Sequence, residues 1–429
     1  MTDPRRRTPR TDAVLDDPRL KDGLTRLGRP LVKAVVTEVL MRCRAGEVAP
    51  ETVVDAVVAL LPESAASLRR VVNATGIVVH TNLGRAPLSA AAVDAVVSAA
   101  GATDVELDLA TGQRGARGRG ALAALRAAVP AAGDVMAVNN GAGALALVAC
   151  ALAAGREIVV ARGELVEIGD GFRIPDLLES VGARLREVGT TNRVHLADYE
   201  RAVGPDTAFV LKVHPSNFRV EGFVSTVPVA DLAGLPVPVV VDIGSGLLTP
   251  HRRLPDEPDA ASTLAAGASL VTASGDKLLG GPQCGLILGD AALVERVRRF
   301  PLARALRVDK LTLAALEATL TGPPTPVAEA LGRRRDELML RARRIVAALD
   351  DGLASAVASE AAVGGGGAPG VTLPSAAVSL PADLAAPLRL GPTPVVGRVT
   401  GDRLLLDLTT VPPESDSAVI DAVRRAAGS

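Results

Sequence analysis

Between residues 68 and 320, short apolar runs rich in β-branched residues alternate with longer stretches of helical periodicity. That alternation favours one compact arrangement, a mainly parallel sheet buried because helices cover both of its faces. Val237-Pro238-Val239-Val240-Val241 and Ala268-Ser269-Leu270-Val271-Thr272 are two such runs, and Ser89 before Ala90 to Val97, with Gly101 after, is a capped helix. The run from Val135 to Gly155 holds no charge and is long enough to cross a bilayer, but Asn139, Asn140 and its glycines suit a buried strand and helix better. With 429 residues, 48% of them hydrophobic, the chain has room for two or three domains and a sizeable core. In open α/β sheets ligands bind outside the carboxyl ends of the strands, so the chemistry is expected there.

One such strand end carries Ser274-Gly275-Asp276-Lys277-Leu278-Leu279-Gly280-Gly281-Pro282. Apolar and glycine neighbours desolvate a lone lysine and lower its pKa toward a nucleophilic amine, which makes Lys277 a candidate Schiff-base former. Ser274, three residues earlier, has a hydroxyl able to bind a phosphate oxygen. Pyridoxal 5'-phosphate carries both an aldehyde and a phosphate. A Ser-x-x-Lys pattern also occurs in serine acyltransferases, so it points to the cofactor only in company.

Two partners supply that company. Asp242 falls at the carboxyl end of its strand, where a carboxylate would pair with the pyridinium nitrogen; the competing reading is a helix N-cap, which the following Gly244-Ser245-Gly246 disfavours. Asn139-Asn140-Gly141-Ala142-Gly143 opens an apolar helix, so the N–H groups at Asn140, Gly141 and Ala142 face an anion. The same turn could serve a dinucleotide, although its spacing is not Gly-x-Gly-x-x-Gly.

The order of phosphate turn, strand-end aspartate and lysine turn is that of fold type I pyridoxal phosphate enzymes. Within it the chain resembles the bacterial selenocysteine synthases, the L-seryl-tRNA(Sec) selenium transferases. The resemblance rests on Asn73-Ala74-Thr75-Gly76-Ile77-Val78-Val79-His80-Thr81-Asn82-Leu83-Gly84-Arg85-Ala86-Pro87-Leu88, on Arg162-Gly163-Glu164-Leu165-Val166-Glu167-Ile168-Gly169, on Glu187-Val188-Gly189-Thr190-Thr191-Asn192-Arg193 and on Leu211-Lys212-Val213-His214-Pro215-Ser216-Asn217. It continues through the lysine turn and Arg304-Ala305-Leu306-Arg307-Val308-Asp309-Lys310-Leu311-Thr312. It implies that Lys277 holds the cofactor and moves the α-proton of seryl-tRNA(Sec), that water leaves the β-carbon, and that selenium from selenophosphate adds. It also implies a homodecamer of five dimers with active sites at dimer interfaces.

Selenophosphate needs a second anion site. Arg85, with Arg304 and Arg307 three apart on one helical face, are the family-matched candidates. Asp276 either relays a proton or orients the lysine turn. The family pattern is broken where Arg114-Gly115-Ala116-Arg117 is followed by Gly118-Arg119-Gly120 instead of an aromatic, a serine and a histidine, and where Gly141 replaces a third asparagine.

Three parts are expected: a small helical domain over 1–67, the cofactor domain over 68–320, and a small α+β domain over 321–429. The last has a helix from Arg333 to Asp350, a glycine linker Gly364-Gly365-Gly366-Gly367, and strands near Val371 and Arg403. Residues 1–44 hold eleven Lys or Arg against six Asp or Glu, while the whole chain carries −1. That surplus fits either a solvated helical face behind a disordered Arg5–Arg10 arm or RNA binding, and the resemblance favours a tRNA-gripping domain. With aromatics at 1%, such binding rests on phosphate and shape contacts. Cys43, Cys150 and Cys284 are odd in number and lack metal spacing, no signal-peptide pattern opens the chain, and the four histidines are dispersed. A cytoplasmic protein without membrane or metal is expected. The competing functions are a pyridoxal phosphate lyase acting on a small hydroxy-amino acid or amino-sugar acid without tRNA, and a catalytically inactive tRNA-binding relative.

Overall fold

The computed structural model describes residues 7–169 and 171–428. The chain divides into two compact units, Met1–Arg70 and Val71–Ser429. Arg5 and Arg6 of the expected arm lie outside the described residues.

The first unit is helical, with helices at Thr11–Leu15, Lys21–Leu27, Arg29–Arg44 and Val53–Leu60. The longest buries Val32, Val36, Val39, Leu40 and Cys43, spaced to form one stripe, against Val14, Leu20, Val53 and Val57. Its basic residues are partly balanced. Arg19 pairs with Asp17 and Asp55, Arg29 with Asp12, and Arg42 with Glu47.

The second unit opens with two short strands, β1 (Val72–Ala74) and β2 (Ile77–Val79). Seven strands then build the main sheet: β3 (Asp134–Val138), β4 (Glu157–Ala161), β5 (Arg184–Val188), β6 (Thr207–Val213), β7 (Val239–Asp242), β8 (Leu270–Ser274) and β9 (Gly285–Gly289). Their order is β3-β9-β8-β7-β6-β4-β5, and β9 alone runs against the others. One face is covered by Leu125, Tyr199, Leu232 and Leu316, the other by Leu147, Leu178, Val294 and Val297. The uncharged run from Val135 to Gly155 is β3 followed by the helix Gly141–Ala153, ten of whose residues are buried. Among the described residues no helix is long and apolar enough to cross a membrane.

The remaining strands, β10 (Ser355–Gly364), β11 (Thr372–Pro381), β12 (Val395–Thr400) and β13 (Arg403–Asp407), form a second sheet ordered β1-β12-β13-β11-β10-β2. Both of its edges come from residues 72–79: β1 pairs with β12 and β2 with β10, each in parallel. The helix expected from Arg333 spans Arg335–Ala347 and packs Leu338, Ala342 and Ile345 on this sheet.

The glycine run is not a linker. Gly364 ends β10, and Gly365 donates its N–H to the Val79 carbonyl. A side chain at Gly366 would put its Cβ 2.5 Å from Lys277 Nζ. Glycine is needed here because the backbone lies directly on a lysine, at φ 90°.

Candidate active site

β7 and β8 are adjacent parallel strands, so their carboxyl ends bring Asp242 and the lysine turn side by side. Asp242 Oδ1 accepts a hydrogen bond from Thr272 Oγ1 at 2.7 Å. Burial pushes its carboxyl above the usual range, and the Thr272 hydroxyl, Lys277 and His214 pull the other way. Lys277 is desolvated at the same place. Burial holds its amine below the ordinary lysine value, opposed by Asp242 and Asp276 and reinforced by Arg85. A depressed lysine facing a carboxylate is primed to act as a nucleophile or base.

The turn at Asn140–Ala142 reaches the same spot from β3. Asn140 caps the helix Gly141–Ala153, its Oδ1 accepting from Gly143 N at 2.7 Å. The first N–H groups of a helix have no acceptor within it, so those of Gly141 and Ala142 remain for an anion. Ser274 is 9% exposed. A Cβ on Gly141 would collide with the Ser274 hydroxyl. Gly141 is therefore a requirement of packing: it lets the hydroxyl and the helix start share one cradle. Cys284, just before β9, is buried and its thiol is pushed up to about 12 by desolvation, which leaves it inert.

Asp276 is 6% exposed and accepts from Arg85 Nη1 at 2.6 Å, while the Asp276 carbonyl accepts from Ala86 N. Arg85 adopts φ 65°, unusual for a residue with a side chain. The loop after β2 is thus pinned to the lysine turn, and Arg85 stands beside Lys277.

The premise for Arg304 and Arg307 needs correction. The helix here is only Leu302–Ala305, so Arg307 lies past its end and the two do not share a helical face. A β-bridge between Val138 and Arg307, together with a 3.1 Å bond from Asn139 N to the Leu306 carbonyl, breaks the helix and ties this segment to the start of the Asn140–Ala142 turn. Arg307 Nη1 lies 3.3 Å from Glu106, which also pairs with Arg117 and Arg114. These guanidiniums, Arg117 first, hold the Glu106 carboxyl below its usual range. The segment expected as an altered loop begins a helix, Arg119–Ala128, with Gly118 at its cap; side chains at Gly118 and Gly120 would strike Leu313 and Glu317, so the glycines let this helix start close on the helix Lys310–Thr321.

Sequence reasoning missed two residues. His214 follows β6 and places Nε2 3.1 Å from Glu257 Oε2; its N–H donates to the Asp242 carbonyl at 2.9 Å. Glu257 is buried in the loop before the helix Ala260–Ala265. His214 stands in one of the family-like stretches and could have been singled out, whereas nothing local marks Glu257. A cavity of about 710 Å³ opens on their side, lined by Lys212, His214 and Glu257 but not by Lys277 or Asp242. Among the described residues no cluster could hold a metal ion.

Comparison with known proteins follows the same division of the chain. Residues 71–412 match the family described as L-seryl-tRNA selenium transferase, and residues 5–44 match that described as selenocysteine synthase N terminal. The L-seryl-tRNA(Sec) selenium transferase of Geobacter sulfurreducens is 41% identical over 457 residues, 98% of this chain and 99% of that one. Its counterpart in Moorella thermoacetica is 42% identical over 442 residues, 95% and 94% of the two chains. Among solved structures, D-glucosaminate-6-phosphate ammonia-lyase superposes with a TM-score of 0.60 at 21% identity, covering 84% of this chain and 96% of that one, a likeness of fold.

Proposed function

The chain belongs to the L-seryl-tRNA(Sec) selenium transferase family, and on that premise we propose that Lys277, Asp242 and the Asn140–Ala142 turn hold pyridoxal phosphate and convert seryl-tRNA(Sec) to selenocysteinyl-tRNA(Sec). The observation that carries the site assignment is the meeting of a desolvated lysine, a strand-end carboxylate and an open helix start with a serine hydroxyl against it. Their chemistry fits the group: Ser274 Oγ with the Gly141 and Ala142 N–H groups would hold its phosphate, Asp242 its ring nitrogen, and Lys277 its aldehyde carbon.

When bound, the cofactor supplies an electron sink for charge developing at the α-carbon of the seryl group. Lys277 Nζ, whose pKa is depressed, takes the α-proton and can return it. General acid–base steps of this kind are worth roughly 10²–10⁴-fold. Asp276 fixes Arg85 beside the lysine, and Arg85, Arg304 and Arg307 bind the anionic selenium donor, selenophosphate. Their forked donors suit its oxygens.

The basic helical unit grips the tRNA, as its match to the amino-terminal family supports. The lyase reading does not call for such a unit. A chain starting at Val71 is expected to keep the cofactor and lose at least about tenfold in affinity for seryl-tRNA(Sec), with a weaker salt dependence. Equal affinity of the two forms would assign the unit a structural role.

A further inference from the structure

Two residues other than glycine have left-handed backbones among the described residues, Arg85 and Ala368 (φ 44°), and both are tied to carboxylates beside Lys277. Arg85 reaches Asp276 through its side chain. Ala368 donates its N–H to Glu257 Oε2 at 2.6 Å. The Glu257 side chain is 1% exposed, and the same Oε2 lies 3.1 Å from His214 Nε2. The one oxygen Oε2 therefore faces the Ala368 N–H and the His214 ring at once. Among the described residues Oε1 is buried with no hydrogen-bond partner. Burying half a carboxylate unsatisfied is costly, and residues are held in strained conformations only where their surroundings over-determine them.

We propose that Glu257 is a positioning residue that latches the glycine turn of the second sheet onto Lys277 while holding His214 at the end of β6. The connectivity supports this directly. Ala368 directly follows the run whose Gly366 lies against the lysine amine and whose Gly367 packs against Leu278 and Ser245. His214 is bonded through its backbone to the Asp242 carbonyl. One carboxylate therefore joins the cover over Lys277 to the strand beside Asp242. Glu257 acts through these two neighbours. The latch sets how tightly the lysine is shielded from water, and so its depressed basicity.

The inference rests on the reading of Lys277 given above, but its first test does not need the cofactor. Hydrogen exchange of the cofactor-free protein is compared for wild type, Glu257→Ala and Glu257→Gln. In Glu257→Ala the amides of residues 365–371 should exchange about tenfold faster, the scale of one lost hydrogen bond to a charged group. Those of β6 and the helix Gly141–Ala153 should be unchanged. The Gln variant, which keeps an acceptor for Ala368, should stay within about threefold of wild type by the same reasoning. In the loaded enzyme the Ala variant should lose kcat with KM for seryl-tRNA(Sec) nearly constant, and Gln should restore most of it. If Glu257→Ala does not fold, Glu257→Met keeps the volume without the acceptor and answers the same question. Unchanged exchange at 365–371, or acceleration spread over the whole unit, overturns the latch. If exchange responds while the enzyme shows no transferase activity in any form, the latch stands and the functional reading fails.

Discussion

The lysine turn Ser274–Leu279 and the glycine run Gly364–Gly367 meet at Lys277, yet only the first declares itself in its own sequence. In the lysine turn every signal is local: an apolar strand, small residues and one lysine without charged neighbours except Asp276. The glycine run carries no such mark, since four glycines describe a flexible linker as well as a tight approach. What decides between them is the lysine amine pressed against Gly366, a contact from a remote part of the chain. The two regions show that sequence exposes the candidate lysine and conceals the backbone that covers it.

The largest effect tests the first region. Lys277→Ala should reduce turnover of seryl-tRNA(Sec) by about 10⁴-fold or below detection, because the proposed function gives this one group both the cofactor and the proton. Next comes Gly366→Ala, which tests the second. A left-handed alanine costs roughly 1–2 kcal/mol, measurable in thermal unfolding, and its Cβ must displace the lysine or the turn, so turnover should fall about 100-fold. Gly401→Ala is the control: φ is 60° but none of the described residues lies within 4 Å of the added Cβ, so stability should drop with activity intact. Equal loss of activity in both variants would dissolve the distinction between cover and linker.

A third prediction concerns the sign of the electrostatics. Asp242 supports the charged form of Lys277 and Arg85 opposes it. In cofactor-free protein, Asp242→Asn should therefore lower the pH at which Lys277 becomes reactive to an amine-directed label, and Arg85→Met should raise it. Peptide-level mass spectrometry reads both. The smallest effect belongs to the arginine segment. Glu106→Gln removes the carboxylate that occupies Arg307, and selenophosphate should bind about twofold more tightly, on the scale of one exposed ion pair.

Much of the main sheet was legible because buried parallel strands are continuous apolar runs, and Val239–Asp242 and Leu270–Ser274 fall where those runs stand. The helix start at Asn140 was equally readable, since capped helices have local signatures. The second sheet was not. Its edges β1 and β2 precede the main sheet in the chain and pair with strands more than 270 residues later, and periodicity reports nothing about such pairing. Arg304 and Arg307 misled for the same reason: a spacing of three fits a helix, but the bridge from Val138 ends it. Glu257 stayed hidden because its partners are a histidine ring and a backbone N–H from two other elements.

The central claim is that Lys277 binds the cofactor at a site serving an aminoacyl-tRNA. The visible absorption spectrum of the full chain with pyridoxal phosphate tests it most directly, recorded alone, with seryl-tRNA(Sec) and with free serine, and with Lys277→Ala as control. A band that is absent in the control and changes only with the charged tRNA is the predicted result. A band that changes with free serine and not with the tRNA, or no band in the wild-type protein, would contradict it.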